Sequence, residues 1–411
     1  SEMCIRDRYK ELVKMNILFF YRVYPNYGGV EVVTTVLANR FVEDGYGVTI
    51  VSMEQPHPEL ACQLLPNVKL VNLKYPVCSI SNIRKFHQLI ISEKVDIVLN
   101  QWGLPFMSTL LCKSAIKGTS CKLISVLHGA PNTSKLVIKA YDKCKTARNP
   151  FFKYMYRVIM YIKEEVIRAS IRYNCSHCEK YILLSSHFIK PLIDYARIKR
   201  PEKIMAIGNP ITIPVIFDDL KLERKKKQLL YVGRMDYENK RVNRIVEAWE
   251  SLYKKYVDWE LILVGDGSHK NTLEDYVRKR NIQRVCFKSF QVDPPIRYYK
   301  DASIFLLTSD LEGFGLVITE SMSYGVVPIV YGSYEAIYDI IDDGKSGFIT
   351  PMPYNNQKTV DSISLLIEDE KLRKKMAKEA MCKARHFSVD SIAARWYELF
   401  ENVLGTSMNQ R

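Results

Sequence analysis

The 411-residue chain is too long for one ordinary hydrophobic core and fits two domains of roughly 200 residues each. A composition that is 47% hydrophobic and 26% charged excludes a disordered chain. No apolar run approaches the ~18 residues of a membrane span, so any membrane association is expected to be peripheral. The formal charge of +15 favours polyanions such as nucleic acid, acidic lipid headgroups or phosphorylated substrates, without choosing among them.

Residues 1–14 (SEMCIRDRYKELVK) read as a charged leader without the apolar centre of a signal peptide, and are set outside the fold. From Met15 onward, short apolar runs alternate with longer amphipathic segments. Strands are expected at 16–21, 48–52, 68–73, 96–100 and 122–128, with helices from Gly28-Gly29 to about residue 44, near 82–93 and near 105–116. Strands spaced by helices imply βαβ units and a mostly parallel sheet. The segment 135–173 breaks this rhythm. It carries ten Lys or Arg against Asp142, Glu164 and Glu165, interleaved with Tyr141, Phe151, Phe152, Tyr154, Tyr156, Tyr161 and Tyr173. The alternation then resumes with strands at 181–185 and 204–207 and ends at Gly208-Asn209-Pro210.

Residues 211–227 hold Pro214, Asp218-Asp219 and the charge run Glu223-Arg224-Lys225-Lys226-Lys227, which is linker chemistry. A second series of strands follows at 229–232, 259–264, 284–287, 303–307, 327–330 and 347–349, and an amphipathic helix at about 389–404 closes the chain with Ile392, Trp396, Leu399, Phe400 and Val403. The expected organisation is a first Rossmann-like domain over 15–210 with a helical insertion at 135–173, a linker at 211–227, a second Rossmann-like domain over 228–387, and a helix at 388–404 that packs back on the first. The fold class is therefore α/β, with two facing Rossmann-like domains whose ligands bind at the carboxyl ends of parallel strands. The ten cysteines are scattered, and only Cys175-Ser-His-Cys178 has metal or redox spacing. With no second ligand pair beside it, this pair reads as two helix-end thiols in a reducing, cytosolic setting.

Four strand-end motifs carry the chemistry. Tyr27-Gly28-Gly29-Val30-Glu31 joins the first strand to its helix, where glycine permits close backbone approach and the helix start offers N–H groups to an anion; a plain βα turn explains it as well. Gly233-Arg234-Met235-Asp236-Tyr237-Glu238-Asn239-Lys240 puts a planar guanidinium and a compact ammonium around one βα loop, suited to the charge that builds on a diphosphate leaving group. Val264-Gly265-Asp266-Gly267 ends a buried strand and either borders a nucleotide or serves only as a turn. Glu312-Gly313-Phe314-Gly315-Leu316-Val317-Ile318-Thr319-Glu320 opens a loop and starts a helix near Leu316. It places Glu312 in the loop and Glu320 about one turn into the helix, both carboxylates being good acceptors for sugar hydroxyls. His128, in Leu127-His128-Gly129, ends a strand of the first domain and is either a satisfied structural histidine or a site residue.

Taken in order, Gly28-Gly29-x-Glu31, His128-Gly129, Gly208-Asn209-Pro210, Gly233-Arg234 with Lys240, Glu312-x7-Glu320 and Gly325-Val326-Val327-Pro328 resemble glycosyltransferase family 4, the retaining enzymes of the glycosyltransferase-B architecture, from Met15 to about Leu404. The resemblance implies that Glu312 and His128 contact the donor sugar, that Glu320 binds the ribose, and that Arg234 and Lys240 bind the diphosphate. Backbone around Gly28, Gly29, Gly233, Gly313, Phe314, Gly315 and Leu316 would assist. It further implies transfer with retention and no protein nucleophile, Glu312, His128, Arg234 and Lys240 being the catalytic set. No Asp-x-Asp stands in the family's metal position, so neither a divalent ion nor any cofactor is expected. Two departures stand out: Lys240 is followed by Arg241 where the family often has glycine, and Ser289-Phe290-Gln291 stands where relatives often carry glycine near the base. Phe290 and Gly265 are thereby placed beside the nucleotide.

The resulting expectation is a hexosyltransferase using a nucleotide-sugar, a UDP-sugar before GDP-mannose. It would act on a saccharide or lipid-linked saccharide in bacterial-type surface polysaccharide or glycolipid assembly, in the cytoplasm or on the inner face of the plasma membrane. The segment 135–173 has the Lys/Arg stems and aromatic rings of a contact with anionic lipid, or else is a helical insertion whose aromatics cover the first domain's core. A glucan synthase of the same architecture is the alternative enzyme. A nucleic-acid-binding role lacks any helix-turn-helix, zinc-finger or RNA-recognition signature, and no nucleic-acid partner is expected.

Overall fold

Leu18, Phe19 and Phe20 are fully buried although they point to alternate faces of one strand, the mark of a parallel sheet covered on both sides. The structure, a computed structural model, describes residues 15–131, 135–146, 148–215, 219–291 and 294–405; the leader 1–14 lies outside them. The chain forms two units: one runs to Gly208 and takes up the chain again from Ile392, and the other spans Asn209–Ser391. The first unit contains β1 (Asn16–Val23), α1 (Gly29–Glu43), β2 (Gly47–Glu54), β3 (Lys69–Asn72), α2 (Ile80–Ser92), β4 (Ile97–Asn100), α3 (Phe106–Ala115), β5 (Lys122–Leu127), α4 (Lys135–Thr146), α5 (Pro150–His177), β6 (Lys180–Leu183), α6 (Ile189–Ala196) and β7 (Ile204–Ala206). Its seven strands are parallel in the order β3-β2-β1-β4-β5-β6-β7, with Phe20 in register with Val51 on one side and Asn100 on the other. The strand order reverses between β1 and β4, which is where a doubly wound sheet opens a crevice for ligands.

The basic aromatic segment is a helical pair. Asn149 caps α5, its side chain accepting the Phe151 amide at 2.8 Å, and Pro150 occupies the first helical position, where its missing N–H costs nothing. The C-terminal half of α5 buries Ile167, Ser170, Ile171, Asn174 and Cys175 in the unit. Its N-terminal half behaves differently. Met155, Tyr156, Ile159 and Met160 are half-buried, and α4 packs along α5. Phe151, Tyr154, Val158, Tyr161, Ile162 and Val166 recur at helical spacing and are exposed. The aromatics are thus divided between two faces, and most of them do not cover the core. Cys175 and Cys178 are buried at the end of this helix, and burial pushes the Cys178 thiol up to about 12, well out of the thiolate range.

The second unit contains β8 (Gln228–Val232), α7 (Val242–Glu250), β9 (Glu260–Val264), α8 (Lys270–Lys279), β10 (Val285–Lys288), α9 (Ile296–Asp301), β11 (Ile304–Leu307), α10 (Leu316–Ser323), β12 (Val327–Tyr331), α11 (Ile337–Ile340), β13 (Phe348–Thr350), α12 (Asn356–Glu368), α13 (Glu370–Arg385) and the start of α14 (Val389–Leu404). Six parallel strands run β10-β9-β8-β11-β12-β13, so the order reverses between β8 and β11. The stretch 211–227 is part of this unit. Ile211, Ile213 and Leu222 are buried, and Asp219–Arg224 forms a short 3-10 turn, because apolar residues set among the charges have core to pack against.

From Ile392 on, α14 belongs to the first unit. Phe400 is fully buried with its ring edge-on to Phe41 at 5.8 Å, Tyr397 stacks on Tyr46 at 4.9 Å, and the Tyr397 hydroxyl donates to Asp44 at 2.5 Å. Phe400→Ala is expected to cost about 3–5 kcal/mol, read as a lowered unfolding midpoint, because the cavity it leaves lies among aromatic rings that cannot all collapse into it.

Candidate active site

In the second unit, the loop after β8 is shaped by backbone packed on backbone. A Cβ on Gly265 would lie 2.0 Å from the Gly233 carbonyl oxygen, and one on Gly267 would lie 2.2 Å from that of Met235. The amides of Gly233 and Met235 donate across this contact to Val264 and Asp266 at 3.0 and 2.9 Å. The Gly-Asp-Gly turn therefore acts as the floor of the loop that carries Arg234. Asp266 pairs with Lys270 at 2.6 Å, which holds its carboxyl below the usual range, and accepts the Phe290 amide at 2.6 Å; the Phe290 ring is exposed.

Asp236 organises the same loop. Its carboxylate accepts the amides of Asn239 and Lys240 at 2.8 and 2.9 Å and the Arg234 Nε at 2.7 Å. Burial acts to raise this carboxyl, and the amides of Lys240 and Asn239 together with Arg234 outweigh it, leaving it below the ordinary aspartate value. The Arg234 side chain remains 63% exposed, whereas the Lys240 ammonium turns to the Glu312 carboxylate at 2.5 Å. These two side chains are only 21% and 12% exposed. They come from the loops after β8 and β11, the adjacent strands at which the sheet order reverses.

The block after Glu312 begins α10 at Leu316. Gly315 is its N-cap at φ 90°, a left-handed conformation that suits glycine, and it offers no side-chain cap to the first-turn amides. Phe314 is buried with its ring edge-on to Phe387 at 5.6 Å, which pins Gly313 and the loop ahead of the helix. Glu320 lies one turn into α10 and is buried. One of its oxygens accepts from Thr212 Oγ1 at 2.6 Å and the other from the Tyr299 hydroxyl at 3.1 Å, while burial raises its carboxyl. Glu312 and Glu320 thus have different partners: the first faces a cation, the second neutral hydroxyls.

In the first unit, Gly28 is the extended N-cap of α1, with the Glu31 carboxylate folded over it so closely that a Cβ there would lie 2.2 Å from Glu31 Oε2. Burial raises the Glu31 carboxyl. His128 follows β5 and is half-buried. Its Nε2 pairs with Gln101 Oε1, and Gln101 is itself tied by its amide to Phe20 of β1 at 3.0 Å. Nδ1 is buried with no hydrogen-bond partner among the described residues. With Nε2–H donating to Gln101, Nδ1 carries a lone pair that awaits a donor such as a hydroxyl. Asp236, Gln101, Thr212 and Tyr299 were not singled out from sequence. Only Asp236 had a local signal, an Asp three and four residues ahead of the amides it accepts. Among the described residues, no three His, Cys, Asp or Glu side chains group closely enough to hold a metal ion.

This arrangement is that of two doubly wound α/β units, and family comparisons say which class of protein carries it. The Glycosyltransferase Family 4 model matches residues 27–213 and the Glycosyl transferases group 1 model matches residues 213–381, end to end. The chain belongs to this family of glycosyltransferases and has its two-Rossmann fold, the glycosyltransferase-B architecture. N-acetyl-alpha-D-glucosaminyl L-malate synthase of Bacillus anthracis is 22% identical over 402 residues, covering 94% of this chain and 97% of that protein. Lipopolysaccharide 1,6-galactosyltransferase of Salmonella typhimurium is 30% identical over 177 residues, covering 42% of this chain and 48% of that protein. The chain spans about half the length of several other curated bacterial relatives it matches. Anabaena Alr3699/HepE in complex with UDP superposes with a TM-score of 0.72 at 18% identity, covering 94% of this chain and 100% of that one, and shows the shared fold.

Burial lowers the His128 imidazole from 6.5 to about 4. Below 6.5 the unfolded ring takes a proton that the folded ring refuses, so the contribution to stability is complete above 6.5 and is lost as pH falls towards 4. An NMR titration is expected to find this ring neutral across that window, and the unfolding midpoint of His128→Gln to fall less steeply with acid than that of the wild type. A ring titrating at 6.5 contradicts the assignment.

Proposed function

We propose that the protein transfers a hexose, with retention of configuration and without a divalent metal, from a UDP-sugar to a saccharide or lipid-linked saccharide in surface polysaccharide or glycolipid assembly. The observation that carries this reading is the Lys240–Glu312 pair. It sets a cation suited to a diphosphate and a carboxylate suited to sugar hydroxyls side by side at the strand ends where the sheet order reverses. A nucleotide-sugar presents both complements, so each residue exchanges its partner for a part of the donor. UDP is favoured by the Anabaena complex, and a lipid-linked or polymeric saccharide acceptor by relatives named for lipopolysaccharide and undecaprenol-linked glycans.

In this mechanism the bond from the anomeric carbon to the diphosphate oxygen breaks on the same face at which the acceptor oxygen attacks. The acceptor proton passes to the departing phosphate oxygen. Lys240 and Arg234 stabilise the charge that develops there, in place of a metal, and Glu312 orients the sugar through its hydroxyls. Glu320 is assigned to the ribose hydroxyls, exchanging Thr212 and Tyr299 for them. His128 is assigned to a sugar hydroxyl through its unpartnered Nδ1. The backbone at Gly28, Gly29 and Gly315 is assigned to the phosphates.

A peripheral lipid contact through α5 belongs to the same proposal. No helix among the described residues is long and apolar enough to cross a membrane. The exposed stripe from Phe151 to Val166 is flanked by Lys153 and Arg157, which are exposed as well. Apolar rings with basic stems suit the boundary of an anionic leaflet.

Screening UDP-glucose, UDP-galactose, UDP-N-acetylglucosamine and GDP-mannose by thermal shift and donor hydrolysis is expected to give a UDP-sugar response. Glu312→Gln is expected to stay folded and lose at least about 100-fold in turnover, while UDP binding is kept or strengthened because Lys240 no longer has an anionic neighbour. Undiminished turnover removes Glu312 from the site. For the lipid contact, co-sedimentation with phosphatidylglycerol vesicles is expected to fall in Lys153→Gln/Arg157→Gln and in Phe151→Ser/Tyr154→Ser. Equal binding by these variants and the wild type rejects it.

A further inference from the structure

We propose that Asp310 is a positioning residue for Lys240, acting through Arg241 and Arg244 to keep the lysine aimed at the donor diphosphate once its pairing with Glu312 has opened; this rests on the assignment of Lys240 to that diphosphate. Arg241 follows Lys240 directly and is the N-cap of α7 at φ 49°, ψ 41°, a left-handed conformation that an arginine does not take without support. Its support is visible. Its Nε donates to Asp310 Oδ2 at 2.6 Å, its guanidinium lies 4.4 Å from the centre of the Tyr237 ring, and its carbonyl accepts from Thr308 Oγ1 at 3.0 Å. The other oxygen of Asp310 accepts from Arg244 Nη1 at 2.5 Å, and the same nitrogen donates to the Thr308 carbonyl at 2.9 Å. Arg244 is held in turn by the rings of Tyr354 and Tyr331 at 4.3 and 5.1 Å.

The backbone completes the clamp. The Asp310 amide donates to the Asn239 carbonyl at 2.7 Å, so the carbonyls of both neighbours of Lys240 are tied to residues 308–310. The Lys240 amide itself is held by Asp236. Residue 310 lies two positions before Glu312, so one carboxylate sets the spacing between the loop bearing the cation and the loop bearing the sugar-binding acid. Asp310, Arg241 and Arg244 are 31%, 27% and 17% exposed, which places this network in a less screened setting than a surface ion pair.

The functional consequence concerns what remains when the donor arrives. A diphosphate that takes Lys240 removes the Lys240–Glu312 link between the two loops, and the Asp310 clamp persists because none of its members is needed by the ligand. Two guanidinium groups on one carboxylate also leave a net positive charge behind the lysine, which favours an anion at that point.

The test is calorimetric titration with UDP of the wild type, Asp310→Ala, Asp310→Asn, Lys240→Ala and the Lys240→Ala/Asp310→Ala double variant, each first checked for its unfolding midpoint. Asp310→Ala is expected to weaken UDP roughly tenfold and Asp310→Asn less, since one hydrogen bond to an arginine survives. In the Lys240→Ala background the Asp310 substitution is expected to have no further effect, because the residue acts through the lysine. Asp310→Ala/Arg241→Gly is expected to regain part of the loss, glycine accepting the left-handed backbone and leaving one guanidinium fewer without its carboxylate. Wild-type affinity in Asp310→Ala, or an undiminished Asp310 effect when Lys240 is already absent, overturns the proposal while leaving the reaction intact. Unweakened UDP binding by Lys240→Ala overturns the diphosphate assignment and the clamp's role together.

Discussion

An ammonium and a carboxylate, both largely withdrawn from water, meet where the loops of two adjacent parallel strands come closest, and the second unit is organised around keeping them there. Neither group is at ease alone: a partly desolvated charge is tolerable only beside its opposite, so Lys240 and Glu312 hold one another until something else offers each a better partner. A nucleotide-sugar is such a molecule, anionic at one end and rich in hydroxyls at the other. On the proposed reading the pair is both the resting state of the site and the pattern its ligand must match.

The glycines and acids around the pair follow from this requirement. Lys240 reaches its partner because the loop after β8 is pressed onto the turn after β9, a contact only glycine at 265 and 267 permits. Asp236 then gathers the loop from within by accepting two of its amides and Arg234. Arg234 is left with most of its side chain exposed, while Lys240 is held back from solvent. In the proposed reaction these two cations, of different geometry and in two degrees of burial, divide the work of capturing a diphosphate and stabilising it as it leaves.

The first unit differs in kind. Burial lowers the imidazole of His128, one nitrogen is committed to Gln101 and the other carries a lone pair, so in the proposed reaction it serves as a hydrogen-bond acceptor and not as a charge. Its helical insertion turns one face to the protein and leaves an apolar, basic face outward. A chain of net charge +15 thereby concentrates apolar rings and positive stems on one helix, a combination that neither the bulk charge nor the aromatic count reveals.

Much of this was legible before any coordinates. Alternating apolar runs and amphipathic stretches depend on local periodicity, and they located both sheets, the start of α10 at Leu316 and the closing helix within a few residues. Residue types at strand ends likewise marked Arg234, Lys240, Glu312, Glu320 and His128, because the chemistry of a phosphate or a sugar narrows the side chains that suit it. What the sequence did not contain was who pairs with whom. Lys240 and Glu312 are 72 positions apart, Thr212 and Glu320 are 108 apart, and Asp310 reaches back 69 to Arg241. The first and last of these distances close because β11 returns to lie against β8, and the burial of Ile211, Ile213 and Leu222 and the two faces of α5 were likewise decided by packing in space. Periodicity is a property of neighbours along the chain, whereas desolvation and pairing are properties of neighbours in space, and strand order is what converts the one into the other.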